Sequence, residues 1–195
     1  VMSKPDPINL AYTSDALPLH TDLTNQDAPP GYQFLHCIAN EAQGGGSTFC
    51  DGAAVAEDLR TADPEAFEIL STVSVPFRFH DNETDIRSRK RVIELGAKGE
   101  VREVCFNAHL ADILDLDPST MTAFYRAYRK FMQMTRDPAY GIAFRLCGGE
   151  MVVFDNRRVM HGREAFDPST GFRHLRGCYV DRGEWDSRLR VLKRV

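Results

Sequence analysis

His20 and Asp22 stand two residues apart in LPLHTDLTNQ. On an extended segment, residues i and i+2 project to the same face, so an imidazole nitrogen and a carboxylate oxygen placed this way can converge on one cation. The same pair also arises by chance as ordinary polar residues at a strand end, and a metal reading therefore needs a third ligand. His161 is the candidate, in MVVFDNRRVMHGREAF, where a strand runs into a turn ending in His-Gly. Two histidines and one carboxylate make the facial set that suits non-haem Fe(II) and leaves coordination positions open. Open positions imply a co-substrate. If that co-substrate is 2-oxoglutarate, its distal carboxylate calls for a planar guanidinium at a fixed distance from the metal, and Arg173 and Arg176 lie on the strand after His161.

The other polar features point to blander roles. His36 interrupts an apolar strand, and His80 and His109 end apolar runs beside polar loops, so structural or exposed positions are expected for all three. Glycines 44 to 46 are followed by no Lys-Ser/Thr pair, which favours a hairpin over a phosphate loop. The basic run RSRKR at 87–91 is short and soon followed by Glu94, and is expected to be a solvated loop. The five cysteines lie far apart without a C-x-x-C pair, which argues against a disulfide framework or a zinc knuckle; most sit in apolar runs and are expected to be buried thiols.

The elements that must position these residues are mostly short strands. Strand character recurs at 32–39, 47–50, 75–80, 91–95, 101–106, 142–146, 151–155 and 173–180, separated by turn signals such as PPGY, QGGGS, AKGE and LCGGE. That spacing predicts a sandwich or barrel. Two regions break it. DGAAVAEDLRTADPEAFEILSTV reads as a helix pair, with Asp63 as N-cap and Pro64 at the first helical position of the second. DPSTMTAFYRAYRKFMQMTRDP carries Met121, Phe124, Tyr125, Tyr128, Phe131 and Met132 at helical spacing, and is expected to cover one face of the sheet.

At 195 residues the chain suits one globular domain spanning 1–195,. It is 43% hydrophobic and 27% charged with a net charge of −4 from mixed acids and bases, a balance that favours neither nucleic acid nor a membrane surface as partner. No apolar run approaches the roughly 20 residues that cross a bilayer, and VMSKPDPINL lacks the pattern of a signal peptide; a reducing cytoplasm is the expected compartment. The first residue is Val, and the chain is expected to be the later part of a longer protein.

Taken together, His20-x-Asp22, GGGST, His161 and Arg173 resemble the Fe(II)/2-oxoglutarate dioxygenases of the taurine dioxygenase superfamily. NLAYTSDALPLHTD, PGYQFLHCIANEAQGGGSTFCDG, VIEL, FNAH, FDNRRVMHGREAF and FRHLRGCYVDR are similar to its γ-butyrobetaine and trimethyllysine branch, almost end to end. The resemblance implies a mainly β chain with flanking helices, folded as a double-stranded β-helix, a jelly-roll or cupin-like barrel with iron at its open end. It implies that His20, Asp22 and His161 bind Fe(II), that Arg173 pairs with the distal carboxylate of 2-oxoglutarate, that Thr48 adds a hydroxyl there, and that Arg176 sits toward the metal-bound end. A trimethylammonium group has no N–H and must be held by cation–π attraction; Tyr12 and Tyr179 match two walls of the family's aromatic cage, with others upstream of Val1. Asn9 and Asn107 match the asparagines that receive the substrate carboxylate. Ordinary strand aromatics and a turn cap are the alternative readings of these four.

The resulting expectation is hydroxylation of γ-butyrobetaine to L-carnitine with O2 as co-substrate, release of succinate and CO2, and ascorbate as an auxiliary reductant. Some family members carry an N-terminal zinc-binding domain and pair as homodimers. Trimethyllysine, whose extra amino group favours a nearby carboxylate, and a trimethylammonium phosphonate are the rival substrates. A non-catalytic barrel that binds a ligand or protein over a vestigial metal site is the rival of another class.

Overall fold

The computed structural model describes Met2 and residues 10–194. In chain order its strands are β1 (Leu17–His20), β2 (Tyr32–Asn40), β3 (Gln43–Gly44), β4 (Ser47–Asp51), β5 (Val75–His80), β6 (Asp85–Lys90), β7 (Ile93–Leu95), β8 (Val101–Val104), β9 (Gly141–Phe144), β10 (Met151–Asp155), β11 (Val159–Arg163), β12 (Phe166–Asp167) and β13 (Arg173–Val180). The helices are α1 (Gly52–Ala62), α2 (Pro64–Thr72), α3 (Pro118–Met134) and α4 (Arg182–Leu192). The chain is thus mainly β with flanking helices, and none of these helices is long and apolar enough to cross a membrane.

Two antiparallel sheets carry the architecture, one in the order β1-β11-β4-β9 and one in the order β10-β2-β13. Pairing register decides which residues face inward, because residues directly opposite in an antiparallel pair share a face. His161 pairs with Phe49 across β11 and β4, and Phe154 pairs with Gln33 across β10 and β2. The Phe154 ring meets both Phe49 and His161, at centroid distances of 5.3 and 4.7 Å. Those contacts bring the two sheets face to face.

The opposite face of the first sheet is covered by helices. Cys50 and Met160, which alternate with Phe49 and His161, pack into a core with Val55, Leu59, Phe67, Leu70, Phe124 and Phe131 from α1, α2 and α3. Burying each large side chain of this kind contributes roughly 1.5–3 kcal/mol, so the helical layer anchors the sheet whose other face holds His161. The helix pair starts as its caps predict: Asp51 accepts from the N–H of Ala54 and Asp63 from that of Ala66, with Pro64 opening α2. Asp117 caps α3 in the same way.

Two expectations are corrected. RSRKR is not a loop; it closes β6, whose partner is β5. The side chains of Arg87 and Arg89 stay exposed, while Ser88 points inward and is buried. His161 lies in the middle of β11 rather than in a turn. Most of the cysteines are buried, as expected: Cys37, Cys50 and Cys105 are inaccessible, and Cys147 and Cys178 are exposed.

Candidate metal centre

β1 ends at His20, and β11 runs antiparallel to it so that His20 pairs with His161. Their rings lie 4.4 Å apart at 40°. Asp22 completes the group: Oδ1 is 3.2 Å from His20 Nε2 and Oδ2 is 3.6 Å from His161 Nε2. One ligand atom from each residue lies within 4.8 Å of the other two. His20 and His161 are buried and Asp22 is half-buried.

The electrostatics suit a cation. Burial works against the Asp22 carboxylate, but hydrogen bonds from His161 and His20 outweigh it and hold the group well below the usual range. Burial pushes the His161 imidazole down, and the His20 charge adds to this against the pull of Asp22, so its neutral, lone-pair form is favoured. His20 Nδ1 donates to the Pro18 carbonyl at 2.8 Å, which turns the ring so that Nε2 faces Asp22,. Two imidazole nitrogens and a carboxylate are the donor set that suits a divalent iron-type cation with open positions.

The backbone around Asp22 is fixed by residues far away in sequence. Asn156 Oδ1 accepts from the Asp22 N–H at 2.8 Å, and Asn156 Nδ2 donates to the carbonyls of Asp22 and Pro30, each at 3.2 Å. The Thr21 N–H donates to the Phe106 carbonyl at 2.7 Å, and Thr21 Oγ1 accepts from the Phe106 N–H at 3.0 Å. Leu23 follows at φ 56°, a left-handed conformation that bulky residues rarely adopt and that marks stored strain. Ser88 Oγ donates to the Thr24 carbonyl at 2.6 Å and Lys90 Nζ to the Asp27 carbonyl at 2.8 Å. The basic strand β6 therefore straps the loop that leaves the metal ligand.

A buried cation lies at the start of β13. Arg173 is only 6% exposed, its Nη2 donates to the Gly45 carbonyl at 3.1 Å, and its guanidinium lies 5.1 Å from the centre of the Phe166 ring. No ion pair to it is found among the described residues, and its Nε is buried without a hydrogen-bond partner. Burial, with the neighbouring Arg163 charge, pushes it down to about 10, so it remains a cation at neutral pH. A buried cation lacking a counter-ion is costly and fits an anionic ligand. Gly45 admits this approach: at φ +70° a Cβ there would lie 2.7 Å from Arg173 Nε.

Comparison with known proteins agrees with this chemistry. The family described as "Taurine catabolism dioxygenase TauD, TfdA family" matches residues 1–179. The chain belongs to that family. Among curated members it is similar to γ-butyrobetaine dioxygenase of Pseudomonas sp. (strain AK-1), 49% identical over all of this chain and 51% of that protein. It is 37% identical to the human γ-butyrobetaine dioxygenase over 99% of this chain and 51% of that one. The mitochondrial trimethyllysine dioxygenase of Gallus gallus is 32% identical over 93% and 44%. The chain therefore spans about half the length of the curated relatives it matches. Among solved structures, an Fe, alpha-ketoglutarate dependent oxygenase from an isonitrile synthetic pathway aligns with TM-score 0.63 at 22% identity over 94% of this chain and 63% of that one. A taurine dioxygenase from Burkholderia xenovorans aligns with TM-score 0.66 at 18% identity over 83% and 56%. These two likenesses show the fold.

Within this TauD-family frame the remaining expected residues separate. Tyr179 faces inward on β13 and donates from its hydroxyl to Asp22 Oδ2 at 2.8 Å. Burial pushes its phenol up, and Asp22 and Tyr12 add to the push, which puts Tyr12 in the same neighbourhood. Tyr12 closes the 3-10 turn Leu10–Tyr12. Asn107 is buried; Nδ2 donates to the Thr21 carbonyl at 3.3 Å, Oδ1 accepts from the N–H of His109 and Leu110, and one amide N–H is left for a ligand,. Asn9 lies outside the described residues.

Two expected contacts are corrected by strand alternation. Thr48 pairs with Gly162 and so lies on the face of Cys50 and Met160, turned toward the helices; the hydroxyl on the His161 face belongs to Ser47, opposite Arg163. Arg176 pairs with His36 on the outer face of its sheet and is exposed, whereas inward-facing Leu175 and Tyr179 alternate with it. Residues that escaped the sequence reading are Asn156, Gly45 and Arg163. The last donates to the carbonyls of Ala11, Thr13 and Asp15. Asn156 sits in FDNRR between two strands and Arg163 two residues after His161, so the patterned alternation of β11 was the available signal for Arg163.

Proposed function

We propose that this chain forms the catalytic part of an Fe(II)- and 2-oxoglutarate-dependent dioxygenase that hydroxylates a trimethylammonium substrate, γ-butyrobetaine foremost, to give L-carnitine. The observation that carries the reading is the pairing of a buried His20–Asp22–His161 group with a buried Arg173 that has no acidic partner among the described residues. Identity of 49% to a γ-butyrobetaine dioxygenase over the whole chain supports the substrate class. The two facing antiparallel sheets fit a double-stranded β-helix as the scaffold,.

In this reading His20 Nε2, Asp22 and His161 Nε2 hold the iron, and Arg173 receives the distal carboxylate of 2-oxoglutarate by charge-assisted hydrogen bonds. Iron and 2-oxoglutarate together supply the oxidising power, consuming O2 and releasing succinate and CO2, with ascorbate keeping the metal ferrous. The protein's own contribution is alignment. Phe49 and Phe154 pack around His161 and line the interior with apolar surface. Tyr12 and Tyr179 offer ring faces to the quaternary ammonium, while Asn107 and Asn9 offer amide donors to its carboxylate.

The test is substrate-dependent succinate formation with a gain of one oxygen in the product, across γ-butyrobetaine, trimethyllysine and a trimethylammonium phosphonate. Turnover of γ-butyrobetaine that disappears in Asp22→Ala is expected. Retained turnover in that variant with iron present would remove the metal assignment, and preference for another substrate would redirect the specificity.

A further inference from the structure

The wall of the proposed cage and the carboxylate of the metal site touch. Tyr179 Oη lies 2.8 Å from Asp22 Oδ2; an ionised carboxylate can only accept, so the phenol is the donor. Asp22 hangs just beyond the end of β1 in one sheet, and Tyr179 is built into β13 of the other, paired with Gln33. The bond therefore ties the two sheets together at the site.

Its consequence follows from how Asp22 is held. Asn156 fixes the backbone N–H and carbonyl of Asp22, which leaves rotation of the carboxyl group as the remaining freedom. The two oxygens are not equivalent: Oδ1 faces His20 Nε2 at 3.2 Å, while Oδ2 stands farther from His161 Nε2, at 3.6 Å, and carries the Tyr179 bond. We infer that Tyr179 is a positioning residue for the metal site, holding Oδ2 so that Asp22 presents Oδ1 as a single-oxygen ligand, and that it thereby couples the ammonium-binding wall to the metal. The inference rests on the proposed function for the identity of the ligands, and it deepens that reading. The tyrosine is 45% exposed, so a ring face stays open to a cation while the hydroxyl is engaged. A phenol that donates to a carboxylate has a more electron-rich ring, which strengthens cation–π attraction. Coupling of this kind is reciprocal: bound metal steadies the wall, and a cation on the wall steadies Asp22.

The experiment is anaerobic titration of the metal-free protein with Co(II), without turnover, for the wild type, Tyr179→Phe and Tyr179→Leu. Removal of an outer partner of a metal ligand typically weakens binding about 10–100-fold. Tyr179→Phe is expected to bind Co(II) about 10-fold more weakly, with a shifted visible band as the freed carboxylate changes its mode of coordination, while keeping most of its affinity for γ-butyrobetaine. Tyr179→Leu is expected to lose the metal affinity to the same extent and the betaine affinity as well. Wild-type Co(II) affinity and an unshifted band in Tyr179→Phe would overturn the inference and leave the proposed function standing. Absence of Co(II) binding by the wild type would instead overturn the metal site itself, and this inference with it.

Discussion

Arg173 and Gly45 meet across 3.1 Å, guanidinium Nη2 to backbone carbonyl, and the glycine is the only kind of residue that allows it: its φ is +70° and a Cβ would press on Arg173 Nε. The left-handed conformation costs a substituted residue about 1–2 kcal/mol, and the clash displaces the guanidinium besides. Gly45→Ala is expected to weaken 2-oxoglutarate binding about tenfold. Arg173→Lys, which keeps the charge but loses the planar fork, is expected to weaken it about 10–100-fold, the value of a charge-assisted hydrogen bond. Anaerobic titration with 2-oxoglutarate in the presence of metal measures both. Unchanged affinity in Arg173→Lys would show that the carboxylate is held elsewhere.

Asn156 is nearly inaccessible and spends its whole amide on the chain around Asp22. Asn156→Ala leaves a buried N–H and two carbonyls without partners, at about 1–3 kcal/mol for each group that water cannot reach. A loss of about 3 kcal/mol in urea unfolding is expected, together with weaker metal binding because the Asp22 backbone is freed. Asn156→Asp should fare no better, since a carboxylate can accept from the Asp22 N–H but cannot donate to the two carbonyls. A stable variant with wild-type metal affinity would show that the β1 end is held by Thr21 and Phe106 alone.

The sequence was informative where one local pattern decides the outcome. Asp63-Pro64 predicted the α2 start because capping is a contact between neighbours, and the apolar period of 121–132 predicted α3 because one face of it is buried. The triad was legible for a similar reason: His20 and Asp22 share a strand end, and His161 needed only the antiparallel pairing of β1 with β11. Thr48 and Arg176 went astray because facing depends on register, and one step along a strand reverses it. Asn156 and Arg163 were invisible because their partners are backbone groups more than a hundred residues away. The helix α4 gave no signal either, since none of its residues is buried in the core.

Glu103 is the acid beneath the loop that follows Asp22. It accepts from Arg157 Nη1 at 2.8 Å and from Arg102 Nη2 at 2.9 Å, and Arg157 also donates to the Pro29 carbonyl at 2.7 Å. Burial opposes its charged form, but the Arg102 hydrogen bond and the Arg157 charge prevail and hold it below its ordinary value of 4.5. A depressed folded value means that the stabilisation is complete above about pH 4.5 and is lost as the pH falls through the lower folded value. Glu103→Gln is expected to lose about 2 kcal/mol at neutral pH, with the gap from wild type closing as the buffer is taken toward pH 3. Urea midpoints measured for both proteins across that range provide the check; a gap that does not change with pH would assign the loss to packing.

Arg163 fastens the proposed substrate wall to the metal strand. Two residues beyond His161, it donates to the carbonyls of Ala11 at 3.2 Å, Thr13 at 2.8 Å and Asp15 at 2.6 Å, and its guanidinium lies 5.0 Å from the centre of the Phe166 ring, which Arg173 also approaches. Three acceptors on one fork cannot be reproduced by a lysine ammonium at the same reach. Arg163→Lys is therefore expected to release residues 11–15, and Tyr12 with them, while leaving His20, Asp22 and His161 in place. The kinetic signature is a KM for the trimethylammonium substrate raised about tenfold, with metal affinity and the KM for 2-oxoglutarate changed by less than about threefold. Hydrogen exchange of the amides in 10–16 should accelerate in parallel, because their carbonyl anchors are gone. Faster exchange without a change in substrate KM would separate the segment from recognition and return Tyr12 to an ordinary surface aromatic.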